Sequence, residues 1–216
     1  MTSVATPPLP PRATYRHGDL RRALLQAGIE LARGGGPDAV VLREATRRAG
    51  VAPNAAYRHF ASRQALLQAV RAAALSAVAE AMEAELAALP GRLPTADFAR
   101  ASVRAVGTGY LKFAQAETGL FRTAFAAAGQ LHSGESDPAA AGQTGPHPFA
   151  LLGAALDRLV EAGVMPPERR PGAELLAWSA VHGLAMLVID GPLGSSVGPQ
   201  MQQVGQRLLD MVEKGL

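Results

Sequence analysis

Cysteine is absent from the 216 residues. That absence removes disulfides, thiol nucleophiles and thiolate metal sites together. Runs of β-branched residues are scarce, and alanine, leucine and arginine dominate, a composition that favours helices over strands. The opening "MTSVATPPLPPRATYRHGD" has no apolar run that could form a signal-peptide core. The longest apolar stretch, "LLAWSAVHGLAMLVI", is interrupted by His182 and is too short to span a bilayer. These absences lead to the expectation of a cytoplasmic protein with no membrane partner.

Catalytic and metal motifs are missing too. His17, His59, His132, His147 and His182 show no metal-ligand spacing such as His-x-x-x-His. The triplet "GGG" at 34–36 lacks the Lys-Ser/Thr of a phosphate loop. Neither a cofactor nor a metal is expected. An acid/base pair of His182 with Asp157 or Asp190 is the one enzymatic arrangement to weigh, and nothing in the spacing favours it.

What is present is uneven in charge. Residues 1–63 hold ten arginines against four carboxylates, a surplus of six positive charges. Residues 64–216 hold eleven Lys/Arg against fourteen Asp/Glu, and the whole chain carries +3. A basic head on a mildly acidic body suits a polyanion partner, with a solvated basic face as the alternative.

The pattern predicts an all-α protein of about nine helices. Residues 1–16 read as a proline-rich flexible arm. In "DLRRALLQAGIELARGGG", Leu20, Leu24, Ala27 and Leu31 share one helical face, and the glycines end it. "LREATRRA" forms a short second helix up to Gly50, and Pro53 starts a third, "PNAAYRHF". Ser62 caps a long helix reaching about Leu89, before Pro90 and Pro94. Further helices are expected near 95–116, 118–131, 147–163, 172–190 and 197–214. Residues 132–146 read as a mobile loop. The resulting division is the arm 1–16, a head 17–63 and a helical body 64–216.

The three head helices, with "AGVA" joining the second to the third, spell a helix-turn-helix at about 41–60. Gly50 supplies the left-handed turn residue, and Val51 plugs the angle between the helices. Ala56 and Phe60, four apart, face inward. Asn54, Ala55, Tyr57, Arg58 and His59 are then left on the outer surface. Such a helix fits the major groove of double-stranded DNA. Tyr, His and Arg suit phosphate oxygens, and Asn suits adenine.

The run "AGVAPNAAYRHFASRQALL", with "RHGDLRRALLQAGIELARGGG" upstream, resembles the DNA-binding domain of tetracycline-repressor-type (TetR) regulators over roughly residues 15–75. "WSAVHGLAML" resembles the Trp-x-x-x-His-Gly signature of one ligand-domain branch of that family, often called WHG. Val41 and Ala52 stand where the family usually places Thr or Ser caps, and Arg63 where lysine is commonest.

The resemblance implies a homodimeric transcriptional repressor, not an enzyme, that binds a pseudopalindromic operator and is released by a small hydrophobic inducer. It implies phosphate contacts from Tyr57, His59 and Arg63, and base contacts from Asn54, Ala55 and Arg58. Arg43, with Arg47 and Arg48, lies beside that surface, either on DNA or simply solvated. Arg12 and Arg16 are candidates for flanking contacts. Met82, Phe113, Phe121, Phe125, Phe149, Trp178, His182 and Met186 are the implied inducer pocket; an aromatic core is the alternative. The helices near 172–190 and 197–214 are the dimer candidates, and in the last Met201, Val204, Leu208 and Met211 form an apolar stripe suited to that interface.

Overall fold

The computed structural model describes residues 17–126 and 138–215. Its α-helices are α1 (His17–Gly35), α2 (Leu42–Arg48), α3 (Pro53–Ala56), α4 (Arg63–Ala87) and α5 (Thr95–Ala116). Then come α6 (Thr118–Phe125), α7 (Pro148–Glu161), α8 (Ala173–Ile189), α9 (Gly194–Val197) and α10 (Met201–Gly215). Short 3-10 turns lie at Pro37–Ala39, Pro138–Ala140, Pro167–Arg169 and Gly198–Gln200. Among the described residues there is no strand. The expected arm 1–16, with Arg12 and Arg16, falls outside the described residues, as do His132 and the end of the helix expected to reach 131.

Two apolar cores organise the helices. Leu24, Leu31, Val40, Ala56, Phe60, Leu66 and Val70 belong to the first, in the head. Val78, Met82, Val106, Tyr110, Phe121, Leu156 and Leu159 belong to the second, in the body. Helix α4 serves both, packing on α1, α5, α6 and α7. Its length and apolar composition would suffice to cross a membrane. Its supply of apolar faces is instead what two cores on one helix demand.

Ser62 accepts a hydrogen bond from the Ala65 amide at 3.1 Å and starts α4 as expected. Neither Val41 nor Ala52 makes a side-chain cap. Regular helix in α3 covers one turn only, shorter than the expected 53–60. Beyond it the His59 and Phe60 amides both donate to the Ala56 carbonyl, at 2.9 Å each, which tightens the turn before Phe60. An uncapped helix of four residues has too few internal bonds to hold a longer regular run.

Head and body meet where α6 crosses the end of α1. A Cβ on Gly119 would strike the carbonyl oxygens of Ala32 and Arg33, so only glycine permits this approach. Arg33 bonds Glu117 at 2.8 Å, and Arg71 of α4 donates to the Ala124 carbonyl at 3.0 Å. Phe113 and Phe125 pack against both cores.

The described part of the expected mobile loop is pinned. The amides of Gln143 and Thr144 donate to the Glu83 carboxylate at 2.8 and 3.0 Å, and the Thr144 hydroxyl adds a third bond at 2.6 Å. Ser76 holds the Ala141 carbonyl at 2.6 Å. Turn-forming residues say where the chain bends but not what it bends onto.

Candidate nucleic-acid interface and body cluster

The turn between α2 and α3 depends on Gly50, whose φ of 68° lies in the left-handed region. The Val51 amide then bonds back to the Thr46 carbonyl at 3.0 Å, and the half-buried Val51 packs on the head core. Ala56 and Phe60 are buried. With those two positions fixed inward, Asn54, Tyr57 and Arg58 are exposed, and Ala55 and His59 are half-buried on the same turn. Tyr57 leaves 57% of its surface in solvent. An aromatic phenol that could have packed inward but stands out on a polar turn suits a partner outside the molecule.

The basic residues around it are not equally available. Arg47 bonds Glu44 twice, at 2.8 and 2.6 Å, and Arg48 reaches the same carboxylate at 3.3 Å. The bond from Arg47 chiefly holds the Glu44 carboxyl down at about 2. Arg43 is exposed, and no partner meets its side chain among the described residues. Arg63 turns back on the head, with Nε donating to the Val40 carbonyl and Nη2 to the Pro37 carbonyl, both at 2.8 Å. Two of its five donors thus brace the 3-10 turn before α2, and the same guanidinium lies 3.8 Å from the Asp38 carboxylate.

In the body, the candidate pocket residues assemble around a residue that no motif singled out. Tyr110 of α5 is buried, and its hydroxyl accepts from Trp178 Nε1 at 3.1 Å. The same hydroxyl lies 2.7 Å from His182 Nδ1. The hydroxyl thus joins both ring nitrogens, accepting from Trp178 and sharing one proton with His182 Nδ1. Burial pushes the Tyr110 hydroxyl well above its ordinary pKa and the His182 imidazole below its own. Trp178 and His182, one helical turn apart, each carry a ring nitrogen that needs a partner once enclosed. That need was the available signal for a hydroxyl on a facing helix.

Rings close around this chain. Tyr110 meets Phe121 at 5.2 Å between centroids, Phe125 meets His182 at 5.0 Å, and Phe149 meets Trp178 edge-on at 6.4 Å. Met82, Phe113 and Met186 join the same core. The acid/base alternative is not assembled: Asp157 is held by Arg170 at 2.7 Å, Asp190 pairs with Arg122, and His182 faces Tyr110. No group of three or more metal-ligating side chains occurs among the described residues.

The stripe on α10 is split by the fold. Met201 is 3% exposed and turned into the body core, so it cannot meet a second subunit there. Val204 and Leu208 are half-buried, and Met211 stands 61% exposed. Leu175, Leu176 and Leu187 of α8, named by no sequence signal, are exposed as well, Leu176 by 68%. On α8 nearly every position is apolar, so periodicity could not say which side faces out.

A glycine-turned helix-turn-helix on an all-helical body defines a class, the DNA-binding regulators with a separate helical domain. Likeness to known proteins narrows it. Residues 24–70 match the family pattern "Bacterial regulatory proteins, tetR family", and residues 103–212 match "Tetracyclin repressor-like, C-terminal domain". The chain belongs to the tetracycline-repressor (TetR) family of transcriptional regulators.

Among solved structures it is similar to a protein of unknown function from Rhodococcus sp. RHA1, at 26% identity and TM-score 0.71. That match covers 95% of this chain and 99% of the other. PfmR, a TetR family transcriptional regulator from Thermus thermophilus, matches at 19% identity and TM-score 0.56, covering 89% and 98%. A TetR from Acinetobacter baumannii AYE in complex with minocycline matches at 19% and 0.54, covering 89% and 93%. The last two likenesses speak for the fold. No curated protein matches the sequence.

Proposed function

We propose that the protein is a dimeric, cytoplasmic repressor that binds a two-fold-symmetric operator and leaves it on taking up a small hydrophobic inducer. The observation that carries this reading is the outward turn of Asn54, Tyr57 and Arg58, held by the inward Ala56 and Phe60. Tyr57, His59 and Arg63 contact phosphates; Asn54, Ala55 and Arg58 lie nearest base edges; Arg43 adds a flanking phosphate contact. In this reading residues 17–63 are the DNA head and 64–216 the sensing and dimerising body.

Exposed Leu176, Leu187 and Met211 support pairing of α8 and α10 across a two-fold axis into four helices, with Val204 and Leu208 at its flank. Two heads then meet successive major grooves. The inducer enters the aromatic cluster and hydrogen-bonds at the Tyr110–Trp178–His182 chain. It releases DNA only insofar as it binds the DNA-incompetent arrangement more tightly. Selection from a random oligonucleotide pool tests the reading. A consensus with two-fold symmetry is expected; recovery of no sequence-selective duplex sinks it.

A further inference from the structure

A groove of about 560 Å³ lies away from the aromatic cluster, between the end of α4, one face of α5 and the start of α10. Its size falls within the range of small-molecule sites. Small side chains create it. Ala88 beside the end of α4 and Ala101 and Ala105 of α5 line it where larger residues would fill the trough, while Gly205 lets α10 approach Leu111 closely at its edge. Short methyl groups leave an apolar floor, backed by the buried Met201.

The rim is polar and its charges are already matched. Lys112 lies 2.6 Å from Glu85, and Arg104 holds Glu213 at 2.5 Å and Asp210 beside it. A charged guest would have to displace one of these ions to be matched itself. The Gln206 amide donates to the Thr108 hydroxyl at 3.3 Å. Gln115 and Gln202 differ: both line the groove, both are exposed, and neither side chain has a partner among the described residues. Each presents two donors and an acceptor to whatever lies there.

We infer that this groove is a second small-molecule site, taking an uncharged, flat, largely apolar ligand whose carbonyl or hydroxyl groups meet Gln115 and Gln202. The site stands independently of the inducer reading, because no residue of the Tyr110–Trp178–His182 chain lines it. Its wall, α10, also carries Leu208 and Met211, so an occupant acts on the helix proposed to join the subunits.

Nile red, an uncharged planar dye with a carbonyl group, is the probe, titrated into the full-length chain. Saturable binding with blue-shifted emission is expected. Ala101→Phe, which fills the trough from a half-exposed position, should weaken binding by about tenfold or more, equivalent to about 1.4 kcal/mol. Gln115→Ala with Gln202→Ala, both exposed and free of protein partners, should weaken it by roughly threefold or more while the circular dichroism spectrum stays that of the wild type. The loss caused by Ala101→Phe should persist in a Trp178→Phe background, which separates dye in the groove from dye in the aromatic cluster. No saturable binding overturns the proposal. So does an affinity that both groove variants leave unchanged, or an Ala101→Phe loss that vanishes in the Trp178→Phe background. Operator selection is untouched by any of these results, so failure here is distinct from failure of the repressor reading.

Discussion

Head and body use the same few polar aromatic residues in opposite ways. Tyr57 in the head stands out in solvent, while Tyr110 in the body is buried with both sides of its hydroxyl occupied. The head gathers its apolar residues into a small core and leaves Asn54, Tyr57 and Arg58 exposed on its outer turn, a surface built for an external partner. In the body's aromatic cluster the Tyr110 hydroxyl, Trp178 and His182 are matched to one another, so a ligand entering there must replace hydrogen bonds that already exist. The difference predicts that substitutions in the body act first on stability and substitutions on the outer head act first on binding.

The largest effect should come from Phe121→Ala. Phe121 is fully buried between Tyr110 and Phe125, and truncation should cost about 3–5 kcal/mol, read from denaturant unfolding. Gly119→Ala comes next, because its methyl group meets α1 carbonyls that belong to rigid backbone. A loss of about 1–3 kcal/mol is expected. A loss of DNA affinity should accompany it, since α6 must lift from the head.

Tyr110→Phe should cost about 1–3 kcal/mol, because Trp178 Nε1 and His182 Nδ1 both lose their partner. A shifted Trp178 emission spectrum should accompany it; an unchanged spectrum with wild-type stability would dissolve the inward half of the comparison. A smaller effect concerns pH. Burial lowers the folded-state pKa of His182 and of His147. The unfolded chain therefore binds protons more readily, and the contribution of these groups, present above about pH 6.5, is lost as pH falls below it. Melting temperatures between pH 8 and pH 5 should fall accordingly, and His182→Asn should flatten part of the slope. Smallest of all in stability is Tyr57→Phe, within about 0.5 kcal/mol of wild type. It should nonetheless weaken DNA binding on all sequences alike, because a phosphate contact carries no base information.

The sequence disclosed the head far better than the body for a physical reason. Gly50, Val51, Ala56 and Phe60 are neighbouring parts of one local device, and their spacing alone states which side chains must face outward. The Tyr110–Trp178–His182 chain joins residues 68 and 72 positions apart, a juxtaposition that no local periodicity encodes. The same limit hid the anchoring of residues 143 and 144 on Glu83, and the inward turn of Met201. Arg63 shows that even a local motif can mislead in detail. Its charge was legible, whereas its grip on the Pro37 and Val40 carbonyls depends on how α4 meets the preceding turn. One-turn α3 is a further case, because helix length depended on a missing cap as much as on pattern.

Amide hydrogen exchange of the wild-type protein, with and without the duplex recovered from selection, tests the outward-facing head most directly. The account predicts new protection concentrated in residues 42–63, with the amides of α5 and α8 around Tyr110 and Trp178 exchanging slowly in both states. Protection that leaves 53–60 unchanged and falls instead on the body would contradict it.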